Sequence, residues 1–280
     1  MWIFQFIIYL LFCFQFLSAE VTYETSFSLV FIVEIVFKDG HCIWYDQCGP
    51  NLQGKTVNCM YNGTAIPLTD AESLQTLQSV CGMFYKGQEN LTTCCAPSQI
   101  RYMSQQFDLA KMMLGRCPSC FYNFRSIFCT MTCSPDQSRF LTVLQSGTSL
   151  IDPTKQTVEA ILYLMADDFG QRIVDSCRDV LYPGGNQHSL DIMCNKRYDE
   201  CTKEDFVRYI GVDNIQTPFP IYINFTNHTS DPSSYYNQST FGCDEPIVSR
   251  YENQSACACL RSEDRMFPTA NLLLDHSMVG

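Results

Sequence analysis

Cys117, Cys120, Cys129 and Cys133 lie within the stretch RCPSCFYNFRSIFCTMTCSPDQS, residues 116–138. Sulfur at this density supports three kinds of chemistry. Cys117-Pro118-Ser119-Cys120 is a Cys-x-x-Cys at a helix start, where the helix dipole lowers the pKa of the leading thiol and arms it for thiol–disulfide exchange. Four thiolates can also cage zinc. Alternatively, each sulfur can close a disulfide to another segment. A thioredoxin-type centre follows a strand in a βαβ unit, whereas the residues before Cys117 read as helical. Zinc cages usually draw their sulfurs as two pairs from separate segments, whereas Cys120 through Cys133 read as one continuous helix. Cysteines three or four apart share a helix face but are badly placed to bond to each other, so each is expected to reach another segment. Adjacent Cys94 and Cys95 cannot easily share one partner either. The stretch therefore reads first as a hub that pins helices together, with thiol exchange and metal binding as competing readings.

The elements that must position these sulfurs are mostly helical. Thr69-Asp70-Ala71-Glu72 opens a helix over residues 68–85, with Leu74, Leu77, Cys81 and Phe84 at helical spacing. A second starts near Ser98, carries the stripe Ile100, Met103, Phe107, Ala110 and Leu114, and stops at Gly115. A third starts at Pro118 with Cys120, Phe124, Ile127 and Phe128 on one side. The longest helical pattern spans residues 154–181, with Val158, Ile161, Met165, Phe169, Val174 and Cys177 inward, and Pro183-Gly184-Gly185 ends it. Strand-like runs cover residues 55–60, 139–145 and 220–225. The expected fold class is α+β: a mainly helical, disulfide-rich domain with a small mixed β-sheet.

Composition sets the compartment. The 280 residues hold 17 cysteines, far above cytosolic usage. MWIFQFIIYLLFCFQFLSAE reads as a secretory signal cut near Ala19, although it lacks the usual basic start. Cys13 then leaves and 16 cysteines remain, an even number in a compartment that permits disulfides. Six Asn-x-Ser/Thr sequons, at Asn62, Asn90, Asn224, Asn227, Asn237 and Asn253, agree with a glycosylated lumenal surface. The net charge of −11 argues against a nucleic-acid partner, which demands clustered Lys and Arg. His41, His188, His228 and His276 are the only histidines, and none forms a nucleophile–His–acid set with its neighbours, so no catalytic residue, metal ligand or cofactor site is assigned. Residues 26–37, SFSLVFIVEIVF, are apolar but contain Glu34 and are too short to span a bilayer. The expected organisation is a signal peptide at 1–19, an unassigned segment at 20–41, a folded domain at 42–260 and a tail at 261–280. Once processed, such a chain is expected to be soluble, with membrane contact only if it fronts a longer transporter.

Taken together, several motifs resemble one family. Arg116-Cys117-Pro118-Ser119-Cys120-Phe121-Tyr122-Asn123, Phe128-Cys129 and Thr132-Cys133-Ser134-Pro135 are similar to the amino-terminal sterol-binding domain of Niemann–Pick type C cholesterol transporters. Cys42-x-Trp44-Tyr45-x-x-Cys48-Gly49, Asn58-Cys59, Cys94-Cys95 and Ser176-Cys177-Arg178-Asp179 fit the same family in the same order. The resemblance runs from about Cys42 to Cys259. It implies the pairs Cys42–Cys94, Cys48–Cys59, Cys81–Cys129, Cys95–Cys133, Cys117–Cys257, Cys120–Cys177 and Cys194–Cys201. Cys243 and Cys259 are left over and are expected to join each other.

The resemblance also implies an internal apolar pocket for cholesterol or a related sterol. Asn58 and Gln99 would hold the sterol hydroxyl deep inside, since each amide both donates and accepts. Gln47 stands where the family usually carries Glu, keeping hydrogen-bonding capacity while losing charge. Trp44, Ile100, Phe121, Ile192, Met193, Pro218, Phe219 and Ile221 are expected in the wall and entrance. Each of these residues has a plainer role available, in a turn, a first helical turn or an ordinary core. The implied activity is non-catalytic sterol binding and transfer, with a small lumenal sterol carrier as partner. The implied location is the late endosomal or lysosomal lumen, or the secreted space. Two other functions compete: a folate- or riboflavin-type ligand binder, and a thiol–disulfide oxidoreductase using Cys117 and Cys120.

Overall fold

In the computed structural model, the described residues are 40–84, 90–184, 186–213, 216–227, 232–248 and 252–257. The signal peptide, nearly all of segment 20–41 and the tail lie outside them. The order is β1 (Cys42–Pro50), β2 (Thr56–Gly63), β3 (Ile66–Pro67), α1 (Ala71–Val80), β4 (Thr92–Thr93), α2 (Pro97–Leu114) and α3 (Pro118–Cys133). Then come β5 (Leu141–Thr148), β6 (Gln156–Ala166), α4 (Asp167–Cys177), α5 (Ser189–Cys194), α6 (Lys203–Arg208), a π-helical turn (Tyr209–Asp213) and β7 (Ile221–Thr226). Two short strands, β8 (Ile247–Val248) and β9 (Asn253–Gln254), pair near the end. All described residues fall in the unit spanning 37–280.

β6 is the spine of the mixed sheet. Antiparallel β5 covers one side of it, from Leu141 opposite Tyr163 to Thr148 opposite Gln156. The other side is shared: Cys59 of β2 meets Thr157, and β7 runs parallel from Ile161–Ile221 to Ala166–Thr226. The long helix expected at 154–181 is therefore wrong in its first half, and the strand ends where Asp167-Asp168 begin α4. Val158, Ile161 and Met165 sit three and four apart, but so would the residues of any strand buried on both faces. Residues 157–166 have no exposed position, and a continuous apolar run carries no periodicity that separates helix from strand. The partners settle it, because β5 and β7 supply the ladder on both sides of the run.

The first three helices start where the sequence suggests. The Asp70 side chain accepts from the Ser73 N–H to cap α1, and Pro97 and Pro118 occupy first turns. α3 is the central post, buried around nearly its whole girth. Buried Gln137 ties its end to the sheet: the side chain donates to the carbonyls of Met131 and Thr132, while its oxygen accepts from the Ile43 N–H of β1. Asn123 does the same job in the middle of α3, donating to Ser176 Oγ and the Phe241 carbonyl and accepting from the Phe241 N–H. Both are polar groups whose burial is fully compensated.

Candidate functional site

Where β1, β2 and the start of α2 meet, three amides converge. Gln47 is paired with Asn58 across the β1–β2 ladder, and irregular register on either side of Gln47 bends the strand there. Asp46 has a positive φ of 66°, which aims its N–H away from the ladder. That N–H instead donates to Gln99 Oε1 at 2.9 Å, and the Ala96 N–H donates to the same oxygen at 2.9 Å. Gln99 sits at the third position of α2, where a Gln side chain can reach back to the residue before the helix. With its oxygen anchored, Gln99 Nε2 points at Asn58 Oδ1, 2.9 Å away. Gln99 is only 3 % exposed, so its rotamer is fixed by both packing and hydrogen bonds.

From this amide pole a cavity of about 240 Å³ runs along α2. Gln99, Met103, Phe107, Ala110 and Leu114 line it from one end of the helix to the other, a span of about 22 Å at 1.5 Å per residue. Phe124, Phe128 and Met131 of α3 and Ile221 of β7 form the opposite wall. Thr56 joins Gln47 and Asn58 on the strand side. Among the described residues, the lining contains no Asp, Glu, Lys, Arg or His. Its titratable members are Tyr102 and Tyr209, and burial raises the Tyr102 phenol above its ordinary value.

The far end is built from smaller pieces: Met193 of α5, Tyr209 and Ile210 of the π-helical turn, and the 216–219 segment. Leu109, 45 % exposed, marks where the lining reaches the surface. Gly211 lets the π turn sit on β7, since a Cβ there would meet the Ile221 carbonyl oxygen at 2.1 Å. The 216–219 segment is latched by the β1–β2 hairpin. Lys55 Nζ donates to the Thr217 carbonyl at 2.7 Å and Asn51 Nδ2 to the Pro218 carbonyl at 3.2 Å.

The expected residues divide on this geometry. Gln47, Asn58, Gln99, Met193, Pro218, Phe219 and Ile221 line the cavity. Trp44, Ile100, Phe121 and Ile192 do not. Trp44 is fully buried one layer behind, its ring 6.1 Å from that of Phe219 and its indole N–H on the Thr132 carbonyl. Ile100 follows Gln99 by one residue, about 100° around α2, and packs into the core. Phe121 packs edge-to-face with Phe107 and stacks under the Arg125 guanidinium. Ile192 is 37 % exposed, beside Met193 but on the outer face of the short α5. Met103, Phe107, Ala110, Leu114, Phe124 and Phe128 were legible as apolar faces of α2 and α3, but the same stripes serve any core. Met131, Thr56, Tyr209 and Ile210 carried no such signal.

The four hub cysteines all bond elsewhere: Cys117 to Cys257, Cys120 to Cys177, Cys129 to Cys81 and Cys133 to Cys95. Cys42–Cys94, Cys48–Cys59 and Cys194–Cys201 are also formed. Cys117 and Cys120 thus form no exchange pair with each other, and the four sulfurs make no cage. The Cys243 sulfur lies within 4.8 Å of those of Cys117 and Cys257, but all three are disulfide-bonded and none is a free thiolate ligand. Cys259, expected to join Cys243, lies outside the described residues. All six sequon asparagines are exposed. Among the described residues, no helix is long and apolar enough to cross a membrane.

Comparison with known proteins gives a consistent match. The sequence profile described as Niemann-Pick C1 N terminus matches residues 39–266. The chain is 34 % identical over 226 residues to NPC intracellular cholesterol transporter 1 of Sus scrofa, covering 78 % of this chain and 17 % of that protein. It is 28 % identical over 243 residues to NPC intracellular cholesterol transporter 1 homolog 1 of Caenorhabditis elegans, covering 80 % of this chain and 17 % of that protein. It is also 28 % identical over 233 residues to homolog 1b of Drosophila melanogaster, covering 80 % of this chain and 18 % of that protein. The chain thus spans about a sixth of the length of the relatives it matches.

Proposed function

The chain belongs to the Niemann-Pick C1 amino-terminal family, and from that premise we propose that it binds a sterol without chemical change and passes it on. The observation that carries this reading is a long uncharged apolar cavity whose polar groups at one end are the Asn58–Gln99 amide pair with Gln47 and Thr56. A sterol is a rigid apolar slab with one oxygen function at its end: the apolar stripes of α2 and α3 suit the slab and the amide pole suits the oxygen, while Tyr209, Gln216 and Thr217 add polar groups at the far end. Asn58 and Gln99 take the sterol oxygen, while Met193, Pro218 and Phe219 stand at the entrance. A folate or flavin fits less well, because their charged or strongly polar ends would meet no charged group among the described residues of the lining. Thiol exchange is disfavoured because Cys117 and Cys120 are each bonded to distant segments. The proposed setting is the lumen of the secretory or endosomal pathway, where a small sterol carrier would deliver ligand at the entrance.

Saturable binding of radiolabelled cholesterol by the purified, glycosylated protein is the test. Gln99→Ala removes the acceptor of two backbone N–H groups and one donor to Asn58, and is expected to weaken binding about tenfold or more. Unlabelled pterin or flavin should not compete. Absence of saturable binding, or an unchanged affinity in a folded Gln99→Ala protein, would defeat the reading.

A further inference from the structure

The hydrogen-bond inventory of the amide pole is unbalanced. An amide oxygen accepts two bonds, and Gln99 Oε1 already has two, from the N–H groups of Asp46 and Ala96. That fixes which end of the Gln99 amide faces inward. Its nitrogen gives one proton to Asn58 Oδ1, so the Asn58 nitrogen is turned to the other side. Three N–H protons then remain, one on Gln99 and two on Asn58, against one spare lone pair on Asn58 Oδ1. Among the described residues no acceptor meets them. The two fixed side chains at the pole are therefore net donors.

The acceptors that could balance them are adaptable or excluded. Gln47 and Thr56 line the same end, and neither side chain is engaged by another described residue. A Gln amide can turn either its oxygen or its nitrogen to a ligand, and a threonine hydroxyl rotates. The nearby carboxylate, Asp46, does not line the cavity. It is exposed, and its Oδ1 accepts from the Gln47 N–H and from Ser98 Oγ. Among the described residues, no side chain at the pole can only accept.

Resting on the sterol reading above, we infer that position 47 sets the oxygen chemistry of the ligand, and that this cavity accepts 3-oxo sterols as well as 3-hydroxy sterols. A ketone oxygen has lone pairs and no proton. It can take two of the fixed N–H groups while Gln47 turns its nitrogen inward. A hydroxyl takes one or two of the same donors and gives its own proton to Gln47 Oε1 or Thr56 Oγ1. A carboxylate at position 47 would remove this tolerance, because its oxygens would face the ketone lone pairs with no proton between them. It would keep the alcohol, whose proton it can accept.

Competition of unlabelled cholest-4-en-3-one and of unlabelled cholesterol against radiolabelled cholesterol tests the inference on the wild-type protein and on Gln47→Glu. For wild type the two competitors should differ by less than about threefold, a gap under ~1 kcal/mol. In Gln47→Glu at pH 7 the ketone should weaken about tenfold or more relative to the alcohol, and lowering the pH to about 4, where the new carboxyl gains a proton, should narrow that gap. Saturable cholesterol binding that the ketone cannot displace overturns the inference and leaves the sterol reading standing. Equal ketone and alcohol affinities in both proteins overturn the role of position 47. Failure of cholesterol itself to bind overturns both.

Discussion

The two ends of the cavity are held by different forces. At the amide pole, disulfides Cys42–Cys94, Cys48–Cys59 and Cys95–Cys133 tie β1, β2, the start of α2 and the end of α3 to one another. The hydrogen bonds there run between buried or half-buried groups and fix amide orientation. At the entrance, α5, α6 and the π-helical turn share one disulfide, Cys194–Cys201, which closes a loop of their own and ties them to nothing else. The 216–219 segment is held to the hairpin by two side-chain bonds to its carbonyls. Covalent bracing is placed at the amide pole, and polar latching at the far end of the cavity.

The sharpest way to break this contrast is to cut one link in the braced body and one at the entrance. Cys120–Cys177, with a sequence separation of 57, closes a long loop between α3 and α4. Replacing both cysteines by alanine should cost about 4 kcal/mol on the loop-entropy model. Cys194–Cys201, with a separation of 7, should cost only about 2.5 kcal/mol on the same model. Denaturant midpoints of the two double variants check the order. Equal losses would mean that the entrance is as constrained as the body.

A smaller effect is expected from the latch. Lys55→Met removes the ammonium on the Thr217 carbonyl and should cost stability about 1 kcal/mol. Sterol release, followed by transfer to acceptor vesicles, should be several-fold faster, on the order of the same energy lost from the closed state. Unchanged release would place the exit elsewhere in the wall.

The smallest effect is on the acid side. Lys196 hydrogen-bonds both oxygens of Asp205 in α6 and, with Thr202, holds that carboxyl below the usual carboxylate range. A depressed native pKa stabilises the fold above the unfolded value of about 4, and the contribution is lost as pH falls through the native value. The anchoring of α6 should therefore be indifferent to pH between about 5 and 7 and weaken below about 4. Lys196→Met should flatten that part of the stability–pH curve.

How much of this was legible in the sequence depended on whether the signal was local. The starts of α1, α2 and α3 are written in Asp70, Pro97 and Pro118, because caps and prolines act within one turn. The hub was legible because cysteines three and four apart on one helix must look elsewhere. β6 was not, because an apolar strand covered on both faces shares its pattern with a buried helix, and the choice is made by β5 and β7 across the sheet. The pole was legible only through the family likeness: nothing local distinguishes Asn58 from any strand asparagine. Trp44 and Ile100 were expected in the wall through the same likeness, yet both pack into the core, Ile100 because it lies about 100° around α2 from Gln99. Whether an apolar stripe lines a hollow or fills one is decided by the spacing between helices, which no single segment encodes.

The central claim is a specific orientation of the ligand, and a crystal structure of the protein soaked or purified with cholesterol tests it most directly. The account predicts sterol density within the cavity, its oxygen in hydrogen-bonding range of Asn58 Nδ2 and Gln99 Nε2, and its tail toward Met193 and Phe219. Sterol found outside, or the reverse orientation with the oxygen at the entrance, would contradict it.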